Sequence, residues 1–330
     1  MKVLLLGATG LLGHNVLRRL MDEGHRVVAL VRRAGGIQLP VTDASQQVQT
    51  VEGSLLDYDT LSCAAEGCDA IINCAGTTDM SLRRYEDFLP VNRDLCRLLV
   101  RVMEERSIRV LVHTSTVNTI GYGTAEQPAD ESAPMRPPFA GSFYADSKRE
   151  GEKIVLEAAQ RWPEWHLVVI NPGYMLGPWD VKPSSGQMLL AARGRRLMLA
   201  PKGGKAFVHV DDVAQAVVAA LDHGQNGHRY LAVSRQGMLS VRQLYELQAE
   251  VLGKRQRVWN VPNGLLLAAG KIGDALRACG VRTQLSTRNV RQLTVREYYD
   301  NRHALEDLGM PETPIAQAIA DFNEWINSKR

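Results

Sequence analysis

Lys2-Val3-Leu4-Leu5-Leu6-Gly7-Ala8-Thr9-Gly10-Leu11-Leu12-Gly13 is the stretch that decides the fold. Lys2 to Leu6 is an apolar run that stops at a glycine, as a strand buried on both faces of a parallel sheet does. Leu12, Val16, Leu17, Leu20 and Met21 then recur at helical spacing, and Gly24 supplies the stop. Between strand and helix lies GxxGxxG, with Gly7, Gly10 and Gly13 as its glycines. Glycines there permit a tight turn and let a pyrophosphate approach backbone N–H groups. The helix N-terminus adds the positive end of its dipole. The spacing alone is weak; its place between a strand and an amphipathic helix makes it a dinucleotide site. The bland alternative is a glycine-rich turn without a ligand.

Outward from this turn the first half alternates strand and helix. Arg26 to Val31, Val48 to Glu52, Ala70 to Cys74, Val110 to Thr114 and Leu167 to Asn171 read as strands. Helical patterns cover about Asp87 to Arg106 and Tyr144 to Arg161. That alternation predicts an α/β fold, a doubly wound parallel sheet of the Rossmann kind. After Pro172 the rhythm changes. Gly and Pro cluster up to Pro183, a short helix is expected over Gln187 to Ala192, and a strand and helix return over Ala206 to His223. Another strand follows at Arg229 to Val233, and Ser240 is the expected N-cap of a helix reaching Leu252. Helices are expected at Asn263 to Ala278 and Ile315 to Asn327. The division expected is a cofactor domain of 1–172 with about 206–235, and a smaller, mainly helical substrate lobe of about 173–205 with 236–330.

The chain has 330 residues, 45% hydrophobic and 23% charged, enough to bury a sizeable core. Lys plus Arg is 39 and Asp plus Glu is 36, a net charge of +3. That is too small for a chain this size to imply a nucleic-acid or a membrane-surface partner. No apolar run approaches the roughly 20 residues of a membrane span. The apolar start is broken at Gly7, so it reads as a strand rather than a signal peptide, and the cytoplasm is the expected location. Cys63, Cys68, Cys74, Cys96 and Cys279 form no paired pattern, so neither a disulfide framework nor a metal site is expected.

The second strand bears on which dinucleotide binds. NAD sites place an acid roughly 20 residues beyond the glycines, for the ribose 2′-OH. Here the strand ends Leu30-Val31-Arg32-Arg33, and the next carboxylate is Asp43. Guanidiniums suit a 2′-phosphate and offer no acceptor to a bare ribose, so NADP(H) is favoured over NAD(H). Further on, Tyr144 and Lys148 stand one helical turn apart in YxxxK. A phenol with a pKa near 10 is a poor proton-transfer group at neutral pH, and a neighbouring ammonium lowers it. A tyrosine packed on the sheet and a solvated lysine are the plain alternative.

Taken together the motifs resemble the extended short-chain dehydrogenase/reductases of the NAD-dependent epimerase/dehydratase superfamily. The pieces run in order: GATGLLG at 7–13, GSLLD at 53–57, NCAG at 73–76, Asn92, HTST at 113–116, YADSK at 144–148, NPGYMLGP at 171–178 and FVHVDDV at 207–213. The layout looks closest to the dihydroflavonol-reductase-like and hydroxysteroid-dehydrogenase-like branch. It is shared by hopanoid-associated sugar epimerases. The resemblance implies that Gly7, Thr9, Gly10, Leu11, Leu12 and Gly13 wrap the pyrophosphate and Arg32 holds the 2′-phosphate. Ser54 and Leu55 would lie beside adenine, Ser54 replacing the family's usual Asp. Cys74, Ala75 and Gly76 would line the adenosine ribose. Pro172, Gly173, Tyr174 and Met175 would pack beside the nicotinamide. Tyr144 would be the acid/base and also touch the cofactor, with Lys148 catalytic and on the nicotinamide ribose. Thr116 would be the third catalytic hydroxyl, with Ser115 as its neighbouring candidate.

The activity implied is reduction of a small-molecule carbonyl compound with an apolar body. A nucleotide-sugar epimerase or dehydratase of the same fold is the alternative. Such relatives often carry an arginine and aspartate just before the Phe-x-x-Val-Asp-Asp segment, where this chain has Lys205-Ala206. A non-catalytic NADP sensor would tend to lose the Tyr and Lys present here. Val261-Pro262 and Leu265 to Ala269 suggest an apolar wall of the pocket, with a core helix as the plain alternative. Arg193, Arg195 and Arg196 are read as a solvated face and His113 as a core histidine. Asp211 or Asp212 is the expected cap of the helix that follows. The resemblance implies either a homodimer through the helices holding Asn92 and Tyr144, or a monomer.

Overall fold

The computed structural model describes residues 1–33, 37, 47–181 and 184–329. Asp43 lies outside them. The first half runs β1 (Lys2–Leu6), α1 (Leu11–Asp22), β2 (Arg26–Val31), β3 (Val48–Glu52), α2 (Tyr58–Ala64) and β4 (Ala70–Asn73). Then come α3 (Leu95–Arg106), β5 (Val110–Thr114), α4 (Phe143–Arg161), β6 (His166–Pro172), β7 (Tyr174–Leu176) and α5 (Gln187–Ala192). The second half continues with β8 (Leu197–Ala200), β9 (Gly204–His209), α6 (Val210–Ala219), β10 (Arg229–Ala232) and β11 (Met238–Ser240). It ends with α7 (Val241–Val251), β12 (Arg257–Asn260), α8 (Asn263–Ala278), α9 (Thr287–Gln292), α10 (Arg302–Leu308) and α11 (Ile315–Ser328).

Seven strands form one parallel sheet in the order β10-β6-β5-β4-β1-β2-β3. The chain steps outward from β1 through β2 to β3, then returns to β4 on the other side. A crevice therefore opens beyond the carboxyl ends of β1 and β4, where ligands bind in such sheets. The apolar runs follow from the layers. Val3 and Leu5 pack with α1 and α6 on one face, while Leu4 and Leu6 pack with α3 and α4 on the other. All four are fully buried, so alternation by face leaves no polar position in the strand.

After Pro172 the chain returns to this sheet once, at β10. The strand expected near Ala206 is β9, and it lies elsewhere. It pairs in parallel with β7 and antiparallel with β11 in a three-stranded sheet. β8 and β12 form a two-stranded parallel sheet. The lobe is thus helical with two small sheets, around a core of Leu176, Phe207, Leu244, Ile319, Phe322 and Trp325. Ser240 caps α7 as expected, in a reciprocal capping box with Gln243, worth about 1 kcal/mol. The cap of α6 differs from expectation. His209 Nδ1 accepts from the Asp211 N–H at 3.0 Å. The Asp212 carboxylate instead receives the Thr313 N–H and hydroxyl at 2.8 and 2.6 Å. The helical stretch expected from Asp87 is also broken: a π-helical turn over Pro90–Asp94 precedes α3, where Pro90 cannot donate to the regular ladder.

Candidate active site

The turn from β1 to α1 is built around two glycines. Gly7 has φ +82°, and a Cβ there would lie 2.7 Å from the backbone of Cys74 and Ala75. A Cβ at Gly13 would collide with the Gly7 carbonyl oxygen. Both therefore let the turn, α1 and the end of β4 close on one another. Thr9 and Gly10 are exposed at the crevice. α1 begins after Gly10 with no capping side chain and no acid in its first turn. Its N–H groups are thus open to an anion, and the turn fits a dinucleotide pyrophosphate. Leu11, Leu12 and Gly13 are buried behind this turn.

The other expected cofactor positions ring the same crevice. Arg32 is exposed just past the end of β2. Ser54 follows β3, where its hydroxyl accepts the Leu56 N–H at 3.2 Å. Leu55 packs on the sheet core. At the end of β4 the Cys74 N–H bonds the Leu6 carbonyl at 3.0 Å. The buried Cys74 thiol is pushed up to about 12 by desolvation, so it stays neutral. The Ala75 N–H bonds Asn73 Oδ1 at 3.1 Å. Gly76 sits between Asn92 and Lys148. Pro172 ends β6, the Gly173 N–H bonds the Ala232 carbonyl at 3.0 Å, and Tyr174 stacks edge-on against Phe207. Met175 packs on the main core.

The catalytic candidates meet at the ends of β5 and α4. The Thr116 hydroxyl lies beside the Tyr144 phenol and accepts the Asn118 N–H at 3.3 Å. The Ser115 hydroxyl is buried with no hydrogen-bond partner. Lys148 is buried and donates to the Thr114 carbonyl at 2.6 Å. Burial holds its ammonium below the usual lysine range. Burial also pushes the Tyr144 phenol above its ordinary value, and the Thr116 hydrogen bond opposes that rise. In the free protein burial dominates at Tyr144, and the Lys148 ammonium is held on the Thr114 carbonyl. Asn92 orders this corner: its Oδ1 accepts the Thr77 N–H at 2.7 Å and its Nδ2 reaches Ser147 at 2.9 Å.

Several residues here carry no sequence signal. Beneath the loop after β5, buried Glu152 accepts from Thr119 and Asn171, both at 2.9 Å, and pairs with Arg229 at 3.1 Å. Asn171 also bonds the Thr116 carbonyl at 3.0 Å, so this network holds the Thr116 backbone. Met80, Leu82, Phe88, Phe143, Arg277 and Arg288 close around Tyr144, leaving a narrow cleft with a cavity of about 10 Å³. Arg277 donates to the Met80 and Leu82 carbonyls at 3.3 and 2.5 Å. Arg282 pairs with Asp79 at 2.7 Å and Asn289 reaches the Met80 carbonyl at 3.2 Å. The α8–α9 segment is thereby clamped onto the loop after β4. The Arg288 guanidinium lies 3.7 Å from the centre of the Phe143 ring.

Leu265 to Ala269 do not form the expected wall; Leu265 is exposed, and the side of the cleft comes from 277–289. Arg195 and Arg196 are exposed, and Arg193 bonds Asn327. His113 is buried beside Asn73 at 3.1 Å, and burial holds it far below the usual histidine range. Among the described residues no group of three His, Cys, Asp or Glu is placed to hold a metal ion. No described helix is long and apolar enough to cross a membrane.

The sequence profile of the NAD dependent epimerase/dehydratase family matches residues 3–232. The chain belongs to this family. It is 28% identical over 332 residues to a candidate dihydroflavonol 4-reductase of Synechocystis, covering 98% of this chain and 93% of that one. It is 27% identical over 334 residues to sterol demethylase protein B of Methylococcus capsulatus, covering 100% and 99%. The crystal structure of gox2253 superposes with a TM-score of 0.82 at 24% identity, covering 100% and 98%, a likeness of fold. This member of the epimerase/dehydratase family is an enzyme of the extended short-chain dehydrogenase/reductase type.

Proposed function

We propose that the enzyme is an NADP(H)-dependent reductase that converts a ketone or aldehyde with an apolar body to the alcohol. One observation carries the reading: the Tyr144 phenol lies beside Thr116 and one helical turn from buried Lys148, whose ammonium is held on the Thr114 carbonyl at the carboxyl end of β5, the same edge of the sheet at which the uncapped α1 N-terminus opens. Residues 1–172 with about 206–235 form the cofactor domain in this reading, with β9 excepted as part of the lobe's sheet.

Gly7, Thr9, Gly10, Leu11, Leu12 and Gly13 hold the pyrophosphate through the turn and helix N-terminus. Arg32 faces the 2′-phosphate, Ser54 and Leu55 the adenine, and Cys74, Ala75 and Gly76 the ribose. Pro172, Gly173, Tyr174 and Met175 back the nicotinamide. When bound, NADPH supplies the hydride for the carbonyl carbon. Thr116 orients the carbonyl oxygen, and Tyr144 gives that oxygen its hydroxyl proton. Lys148 binds the ribose hydroxyls and favours the phenolate left behind. Burial keeps Tyr144 protonated at neutral pH, the form that reduction requires.

Loss of NADPH absorbance with a panel of ketones and aldehydes tests this. Turnover confined to sugar nucleotides, with no net consumption of NADPH, would establish the epimerase reading instead.

A further inference from the structure

α8 is a 16-residue helix whose only buried residues are Gly270 and Gly273. Those glycines let it lie tightly on Leu285 and Thr287. The opposite side carries Leu265, Ala268, Ile272 and Leu276, spaced three and four apart on one stripe. Leu265 and Ile272 are 63% and 62% exposed. The patch continues into the strand just before the helix. β12 pairs Trp259 with Leu199 of β8, and each is 60% exposed. Val258 and Met198, on the other face of this pair, are buried in the lobe. Aliphatic and tryptophan side chains thus stand in water along a helix and the strand that leads into it.

The segment that carries them is rich in cations, although Glu246 stands beside Arg257 and Trp259 and Asp79 pairs with Arg282. Residues 254–296 hold nine Lys and Arg and a single acid, Asp274. A chain of net charge +3 therefore concentrates its positive charge on this segment, and the remainder is net acidic. Lys254, Arg255, Arg257 and Lys271 are exposed there. An exposed apolar stripe with tryptophan beside it and a basic margin is the composition of a helix that lies in a membrane interface. A second copy of this chain is a poor occupant, since a two-fold contact would set the same cations against each other.

We propose that α8 and the β8–β12 edge dock the enzyme on the surface of an anionic bilayer, with α8 lying in the plane of the interface. Docking rests on the exposed patch and its charge. Its consequence rests on the reductase reading: α8 and α9 also carry Arg277 and Arg288 over Tyr144, so a substrate with an apolar body would meet the site at the lipid surface.

Co-sedimentation of the full chain with phosphatidylcholine vesicles, and with vesicles that also contain phosphatidylglycerol, tests the proposal. Binding is expected only to the anionic vesicles, with a blue shift of tryptophan emission that Trp259→Phe diminishes. The double variant Leu265→Gln/Ile272→Gln should weaken partitioning at least about tenfold, and Lys254→Glu/Lys271→Glu should do the same. All these positions are exposed, and an unchanged melting temperature confirms the fold. NADPH consumption with a water-soluble ketone and no lipid should be the same for Ile272→Gln as for the parent chain. That assay reports on the reductase reading separately. Equal binding of parent and variants, no binding to either vesicle, or dimerisation through this face without lipid binding would overturn the proposal.

Discussion

Replacing Tyr144 by phenylalanine removes one oxygen and leaves the ring in place. That oxygen lies beside Thr116, whose own hydroxyl accepts the Asn118 N–H at 3.3 Å. No buried donor is orphaned, so the cost to stability should be about 1 kcal/mol or less. The loss should fall on the chemical step. A positioned general acid is worth about 10²–10⁴-fold, or roughly 3–5 kcal/mol of barrier. The assay is single-turnover loss of NADPH absorbance at saturating ketone, with NADPH affinity from fluorescence titration. The rate should fall by that factor while affinity stays within a few fold, because the phenol hydroxyl acts on the substrate oxygen and the ring keeps its packing beside the cofactor. The parent enzyme should also show a characteristic pH profile. Burial raises the Tyr144 pKa, so the proton is in place at every pH below about 10, and reduction should weaken only above that. The stability linked to this group has the same sign: it is full below the unfolded value and is lost as pH climbs through the folded one. A variant that turns over within about tenfold of the parent would refute the acid assignment.

Arg32→Asp should weaken NADPH about ten- to a hundredfold in calorimetric titration and improve NADH, since a charge-assisted contact contributes roughly 1.5–3 kcal/mol. Gly13→Ala drives a methyl group into the Gly7 carbonyl oxygen; it should cost about 1–3 kcal/mol in denaturant titration and lower NADPH affinity. His303 bonds the Glu131 carboxylate at 2.9 Å, which raises the histidine pKa. Its contribution to stability should be full below pH about 6.5 and fade as pH rises through the folded value. Thermal melts across that window should lose the slope in His303→Gln.

The main sheet was legible because its inner strands are buried on both faces. β1, β2 and β5 have the bounds their apolar runs predict, and the edge strand β3, none of whose residues is buried, also has its expected bounds. α8 was legible from composition, although its surroundings were not: the same leucines that suggest a wall stand in solvent. The small strands of the lobe left no such trace. β7, β8, β11 and β12 are three or four residues long, and their outward positions are as apolar as their inward ones, as Leu199 and Trp259 show. The motif residues of the site belong to turns whose chemistry constrains sequence locally. Arg277, Arg288 and the Glu152–Asn171–Arg229 network reach the site across long stretches of chain, and no spacing rule links them to Tyr144.

The allocation of cations bears on the substrate. Lys205 stands where the resemblance leads one to expect an arginine in a sugar-nucleotide enzyme, and it is already engaged, paired with buried Glu297. Pulling it toward a diphosphate would strand that carboxylate, at a cost of about 3–5 kcal/mol. Arg193 is tied to Asn327, and Arg277 is committed to backbone carbonyls. Arg288 remains: it makes no hydrogen bond among the described residues and lies on Phe143 at the cleft. Burial, reinforced by the neighbouring Arg277 charge, already disfavours its charged form. One such guanidinium can meet a single polar group of a substrate; two phosphates would leave charge desolvated beside Met80, Leu82, Phe88 and Phe143. That balance supports a ligand that is mostly hydrocarbon with one polar head beyond its carbonyl. Arg288→Met should therefore raise KM several-fold for ketones bearing a second polar group and leave it nearly unchanged for plain aryl or alkyl ketones. A uniform rise across the series would mean that Arg288 shapes the cleft without reading the substrate.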